Sequence, residues 1–144
     1  MNLARALLIT ILVVAGCGSP MPSPADVVTL EFDCQQFEVA GAGNASLTAE
    51  VAAPVGQQLD VRLCSNPSTG FAWDTPTATG DRTLEALDRG ILQEVGGPPG
   101  ASGLEWFTFR ATSAGSTTLR FTYSQPWDGG SKGVWSVDLD VTVE

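Results

Sequence analysis

Apolar and polar residues alternate with period two through most of the chain after residue 26, which places strands rather than helices there. Val28, Leu30 and Phe32 alternate with Thr29, Glu31 and Asp33; Leu47, Ala49 and Val51 form a second run; Leu59, Val61 and Leu63 alternate with Gln58, Asp60 and Arg62. Further along, Phe107 and Phe109 oppose Thr108 and Arg110, and Leu119, Phe121 and Tyr123 oppose Thr118, Arg120 and Thr122. In the last and longest run Trp135, Val137, Leu139, Val141 and Val143 are set against Ser136, Asp138, Asp140, Thr142 and Glu144. Each run has one apolar and one wet face, as antiparallel sheets covered on one side require. Arg82–Leu92 departs from the pattern. It carries Leu84, Leu87 and Ile91 at helical spacing, interrupted by Gly90, and reads as a short helix or as one helical turn leading into a short strand. Turn residues at 41–44, 54–56, 96–100 and 128–130 separate the runs. About seven to eight short strands of this kind predict an all-β domain, either an antiparallel β-sandwich or a small barrel.

The beginning of the chain is different. Ala6–Ala15 is apolar apart from Thr10 and follows Arg5, which is too short for a bilayer span and suits the core of a signal peptide. It runs into Val14-Ala15-Gly16-Cys17, small residues ahead of a cysteine as at the processing site of a bacterial lipoprotein. Residues 1–16 are therefore expected to be a lipoprotein signal peptide, with Cys17 the lipidated N-terminus. Residues 17–25, with Pro20, Pro22 and Pro24, read as an extended tether, and residues 26–144 as one domain. The expected location is the outer face of a bacterial cell membrane, held by lipid alone.

Charge and composition narrow the function. The chain has 7 basic and 16 acidic residues, a net charge of −9; loss of residues 1–16 removes Arg5 and no acid, leaving 6 against 16, or −10. Nucleic acid selects basic surfaces and is not an expected partner. There is no histidine, so neither a Ser-His-Asp nor a Cys-His nucleophile system can be assembled. No enzymatic activity, cofactor or metal site is expected. With Cys17 lipidated, Cys34 and Cys64 remain, and in an oxidising compartment such a pair is expected to form a disulfide.

Three inter-strand segments carry the candidate chemistry. In Asn66-Pro67-Ser68-Thr69-Gly70-Phe71, Asn66 precedes a proline and is kept extended, Pro67 fixes its own φ and Gly70 tolerates positive φ. Ser68 and Thr69 are thus presented on a stiff turn, which loses little entropy on binding. Gly100-Ala101-Ser102-Gly103 is a glycine-containing turn before a strand, where a partner's backbone can approach closely. In Gln125-Pro126-Trp127, proline stiffens a turn that leaves Trp127 near its tip as an aromatic anchor.

The order and spacing of these segments resemble the chagasin-type inhibitors of papain-like cysteine peptidases. The resemblance rests on Ser65-Asn66-Pro67-Ser68-Thr69-Gly70-Phe71-Ala72-Trp73, on Gly100-Ala101-Ser102-Gly103 and on Tyr123-Ser124-Gln125-Pro126-Trp127, and it extends over about residues 44–144. Ser102 stands where the family has glycine, and Gln125 where it usually has arginine. The resemblance implies an immunoglobulin-like sandwich whose three loops wedge into the peptidase cleft. Ser68 and Thr69 would then cover the catalytic cysteine, Gly100–Gly103 would line the non-primed side, and Trp127 would lie on the primed side. It implies a reversible, non-covalent inhibitor, a monomer, whose partner is a papain-like cysteine peptidase of a host or of the bacterium itself. The competing reading is a lipid-anchored surface binding or adhesion module on the same sandwich, without inhibitory activity.

Metabolic labelling with a fatty-acid analogue is expected to mark the wild-type chain and not Cys17→Ser, which should also fail to mature. A wild-type mature chain that begins at another residue and carries no acyl group contradicts this assignment.

Overall fold

A computed structural model describes residues 27–41, 43–93, 98 and 100–144. The expected signal peptide, Cys17 and the tether lie outside the described residues, as does part of the turn at residues 96–100. The described residues form two sheets packed face to face. One has the order β1 (Val27–Phe32), β3 (Gln58–Ser65), β7 (Gly103–Ala111), β6 (Leu84–Leu92). The other has the order β2 (Ala45–Ala53), β9 (Trp135–Val143), β8 (Gly115–Ser124), with β4 (Ala72–Trp73) and β5 (Thr77–Gly80) both paired to β8.

The period-two runs become the core. Leu59 and Val61 of β3 stand opposite Phe109 and Phe107 of β7, and Leu119 and Phe121 of β8 stand opposite Leu139 and Val137 of β9. The two inner faces meet where Phe121 contacts the ring edges of Phe107 and Phe109, with centroids 5.3 and 6.3 Å away. All of these residues are buried.

Three expectations need correction. The segment Arg82–Leu92 is not helical; its residues from Leu84 onward form β6, antiparallel to β7. A β-bulge between Ala86 and Asp88 explains the misreading. The residues facing inward with β7 are Leu84 and Ala86 before the bulge and Arg89 and Ile91 after it, so an inserted residue breaks the period of two and imitates helical spacing. Gly90 belongs to this strand because it lies beneath Trp106: a Cβ there would sit 2.7 Å from the indole. Secondly, the sheets are mixed rather than antiparallel, since β1 pairs with β3 and β2 with β9 in parallel. Both pairs join strands separated by long stretches of chain, which is what parallel pairing needs. Thirdly, nine strands rather than seven to eight are present among the described residues.

A helix that the apolar pattern did not reveal, α1 (Cys34–Gly41), links β1 of one sheet to β2 of the other. Asp33 and Gln36 cap it reciprocally: the Gln36 N–H donates to Asp33 Oδ1 at 2.9 Å and the Asp33 N–H to Gln36 Oε1 at 2.8 Å. Phe37 is fully buried, stacked on Trp135 at 4.7 Å and tilted against Trp73 at 5.6 Å. The helix is fixed a second time by the Cys34–Cys64 disulfide, with Cα atoms 5.0 Å apart, well within the normal range.

The disulfide spans 30 residues, for which chain entropy gives a stabilisation of about 3–4 kcal/mol. The Cys34→Ser/Cys64→Ser double variant is expected to lose about that much unfolding free energy, seen as a lower denaturant midpoint. Two free thiols in the folded, exported wild type, or an unchanged midpoint, would show that the bond does not act this way.

Candidate functional site

β3, β6 and β8 all run toward one end of the sandwich, and the three candidate loops follow them there. Loop 1 leaves β3 at Ser65. Pro67–Thr69 forms a single 3-10 turn, closed by the Thr69 N–H to the Asn66 carbonyl and the Gly70 N–H to the Pro67 carbonyl, each at 3.1 Å. Asn66 is extended (φ −128°, ψ 88°), as the proline after it requires, and Gly70 takes φ +79°. Ser68 and Thr69 are exposed at the tip. Their hydroxyl protons point back into the loop, Ser68 Oγ donating to Asn66 Oδ1 and Thr69 Oγ1 to the Asn66 carbonyl, both at 2.6 Å. Phe71 turns inward and stacks on Tyr123 with centroids 5.4 Å apart.

Loop 2 enters β7. Gly100 adopts φ +84°, and the Ala101 N–H donates to the Pro98 carbonyl at 3.0 Å. Ser102 is exposed, and among the described residues only glycines have positive φ, so serine in place of the family's glycine brings no backbone strain. Loop 3 follows β8. Gln125 braces it: the Gln125 N–H donates to the Ser131 carbonyl at 2.8 Å, and Gln125 Oε1 accepts the Ser131 N–H at 2.9 Å. Lys132 Nζ donates to the carbonyls of Gln125 and Trp127. Gln125 is therefore occupied within its own loop. Pro126 is exposed beside it, and Trp127 is 49% exposed.

The loops are joined to one another. Asn66 Nδ2 donates to the Gly100 carbonyl at 2.9 Å, linking loop 1 to loop 2. Trp127 lies on Gly70, where an added Cβ would be 2.6 Å from Cη2 of the indole, linking loop 1 to loop 3. The tryptophan thus rests on loop 1, with half of its surface open, and not on the core. Of the expected contact residues, Ser68, Thr69, Gly100, Ser102, Pro126 and Trp127 are exposed, whereas Asn66, Pro67, Gly70, Phe71, Ala101, Gly103 and Gln125 are part-buried, several of them in holding the loops together.

Exposed apolar surface concentrates at this end. Val39 of α1, Ile91 and Leu92 at the end of β6, and Trp127 are four of the six exposed large hydrophobic residues among those described. Nothing in the period-two pattern singled out α1; the spacing Asp33-x-x-Gln36 was the signal for it. The open apolar cleft between β5 and β6, lined by Pro76, Leu84, Leu87 and Leu119 among others, contains none of the loop residues. Among the described residues no three His, Cys, Asp or Glu side chains are grouped to hold a metal ion. The candidate site is thus a ridge of three joined loops, with an open recess on its α1 side lined by Asn66, Thr69, Phe71 and Ser102 together with Glu38 and Trp135.

Comparison with known proteins agrees with this geometry. Residues 52–141, which include all three loops, match the family model described as "Chagasin family peptidase inhibitor I42". Chagasin of Trypanosoma cruzi is 33% identical over 88 residues, covering 58% of this chain and 78% of chagasin. Amoebiasin-2 of Entamoeba histolytica is 26% identical over 85 residues, covering 59% and 69%. Among solved structures, the cysteine protease inhibitor EhICP2 of Entamoeba histolytica superposes with a TM-score of 0.59 over 82% of this chain and 97% of its own, at 19% identity. PbICP-C, solved in complex with falcipain-2, gives 0.57 over 82% and 98%, at 15% identity. The structural matches show the immunoglobulin-like sandwich, and on the extent of the sequence match the chain belongs to the chagasin family, a family of peptidase inhibitors rather than of enzymes.

Proposed function

We propose that the chain is a reversible, non-covalent inhibitor of papain-like cysteine peptidases. The observation that carries this reading is the joining of the three loops before any partner is met, through Asn66 to loop 2 and through Gly70 to Trp127. A ridge already held in one shape has little left to order on binding. The relatives lend support, one being a cysteine protease inhibitor and another having been solved with falcipain-2 bound.

In this reading loop 1 enters the cleft at the peptidase's nucleophile. Ser68 and Thr69 face the cysteine, with their hydroxyls held against Asn66 inside the loop. The 3-10 turn at Pro67–Thr69 is not the extended backbone that a scissile segment must adopt, so the loop blocks the cleft without being cut. The backbone of Gly100–Gly103 lies along the non-primed side. Trp127 anchors on the primed side, and Gln125 acts by bracing its loop. Export and a lipid on Cys17 would place the inhibitor at the outer face of a bacterial membrane, where it meets a host or a bacterial peptidase.

Titration of papain and of a lysosomal-type relative with residues 26–144 should give competitive inhibition, an intact inhibitor by mass after prolonged incubation, and no effect on serine or metallopeptidases. A contact of standard size, about 1,600 Å² in total, is expected. A folded domain that leaves several papain-like peptidases fully active at micromolar concentration would remove this reading and favour the adhesion module.

Two sets of variants address the loops. Trp127→Ala should weaken inhibition by about 2 kcal/mol, or roughly thirty-fold, since it truncates an exposed anchor, and Thr69→Ala should weaken it less. Gly70→Ala should weaken it at least as much as Thr69→Ala, because its Cβ meets the indole and its φ is positive. Circular dichroism spectra should be unchanged in all three. Inhibition that survives Trp127→Ala undiminished would exclude loop 3 from the contact.

A further inference from the structure

Beneath loop 1 lies a set of buried polar groups that the loops' own residues do not account for. The inward positions of β7 run Glu105, Phe107, Phe109, so a carboxylate stands where the pattern calls for another apolar residue, opposite Leu63. Glu105 is only 3% exposed. Ser65 Oγ donates to Glu105 Oε1 at 2.7 Å, and the Trp73 N–H points at both carboxylate oxygens from 3.3 Å. The Arg89 guanidinium stands 3.9 Å from Oε2 and donates to the Trp73 carbonyl at 3.1 Å. The Ser65 and Tyr123 hydroxyls are 3.4 Å apart, and Tyr123 Oη accepts the Asn66 N–H at 2.9 Å.

We propose that Glu105, Ser65 and Tyr123 act as positioning residues that set the shape of loop 1 for the peptidase. The proposal rests on the inhibitory reading above and extends it to residues outside the contact surface. Its basis is the ends of the loop. The chain enters at Ser65–Asn66 and returns at Trp73, and β4, the strand that receives it, is two residues long. So short a ladder does not hold the return by itself. One carboxylate accepts from both ends, from the Ser65 hydroxyl and from the Trp73 amide, and so sets the span between them. Tyr123 then fixes the amide of Asn66, the residue whose side chain binds both Ser68 and loop 2. An apolar residue at position 105 would fill the space without desolvating a charge, but it would leave the Trp73 amide without this acceptor and the Ser65 hydroxyl with only its 3.4 Å contact to Tyr123.

The test uses the full-length protein and two variants that keep side-chain shape. Tyr123→Phe removes one oxygen and leaves the ring in place; Glu105→Gln removes the charge. Val141→Ala, in the core near the opposite end, serves as a control that loses stability only. Tyr123→Phe and Glu105→Gln are each expected to raise the papain inhibition constant about ten-fold, chiefly through slower association, because a smaller fraction of molecules holds the competent loop. Exchange of the Asn66 amide proton, followed by NMR, should accelerate in Tyr123→Phe by a similar factor. In Val141→Ala the melting temperature should fall while the inhibition constant and Asn66 exchange stay near the wild-type values. If Tyr123→Phe and Glu105→Gln leave inhibition and Asn66 exchange where the control leaves them, the positioning role is overturned. If the wild type inhibits no papain-like peptidase, the functional reading falls instead, and amide exchange alone still decides whether these groups hold the loop.

Discussion

A column of aromatic rings holds the loop end of this sandwich together. Phe71, Tyr123, Trp135 and Phe37 follow one another with centroid separations of 5.4, 5.1 and 4.7 Å, and Trp73 leans against both Tyr123 and Phe37. Each ring comes from a different part of the chain: the end of loop 1, β8, β9, α1 and β4. A strand of two residues could not fix a loop in this position, and a helix of eight residues has little stability of its own. Stacking gives these weak elements a common rigid support. The disulfide reinforces the same region from the other side, since Cys64 lies two residues before Asn66 and Cys34 opens the helix.

On that support the exposed tip is arranged by small polar contacts. Asn66 is central to them: its carbonyl closes the turn, its side-chain oxygen receives Ser68 and its side-chain nitrogen reaches loop 2. Residues that a contact-based view would assign to the partner are in several cases engaged with one another. Gln125 is the clearest instance, with its amide oxygen on the Ser131 backbone. The departures from the family pattern at Ser102 and Gln125 therefore fall at one position with ordinary backbone geometry and at another with a structural task. Neither disturbs the arrangement of the three loops.

Much of the architecture could be read from period two alone, because residues with one buried face leave that mark wherever the strand is regular. The reading failed where regularity failed. In β6 the bulge at Leu87 displaced the apolar positions by one, and Arg89 turned inward over the ring of Phe107, 5.0 Å from its centroid, where a pattern of hydrophobic residues could not detect it. In α1 one buried residue, Phe37, does the packing, so an eight-residue helix leaves no amphipathic stripe. The three loops were recognisable by their turn residues, Pro67, Gly70, Gly100 and Pro126. Their contacts with each other were not, since a hydrogen bond from Asn66 to a carbonyl 34 residues away has no trace in local sequence. Glu105 escaped notice for the same reason: in the sequence it is one acid among 16.

The parallel pairing of β1 with β3 decides which way the molecule stands. Val27 lies beside Gln58, at the foot of β3, while Ser65 at its head opens loop 1. The eight residues of β3 span about 25 Å at the usual rise of a strand. Val27, the first described residue, therefore lies at the end of the sandwich opposite the three loops, with the length of the domain between them. Had β1 run antiparallel to β3, Val27 would have stood beside the loops, and the chain would have entered the sandwich at the very end that carries them.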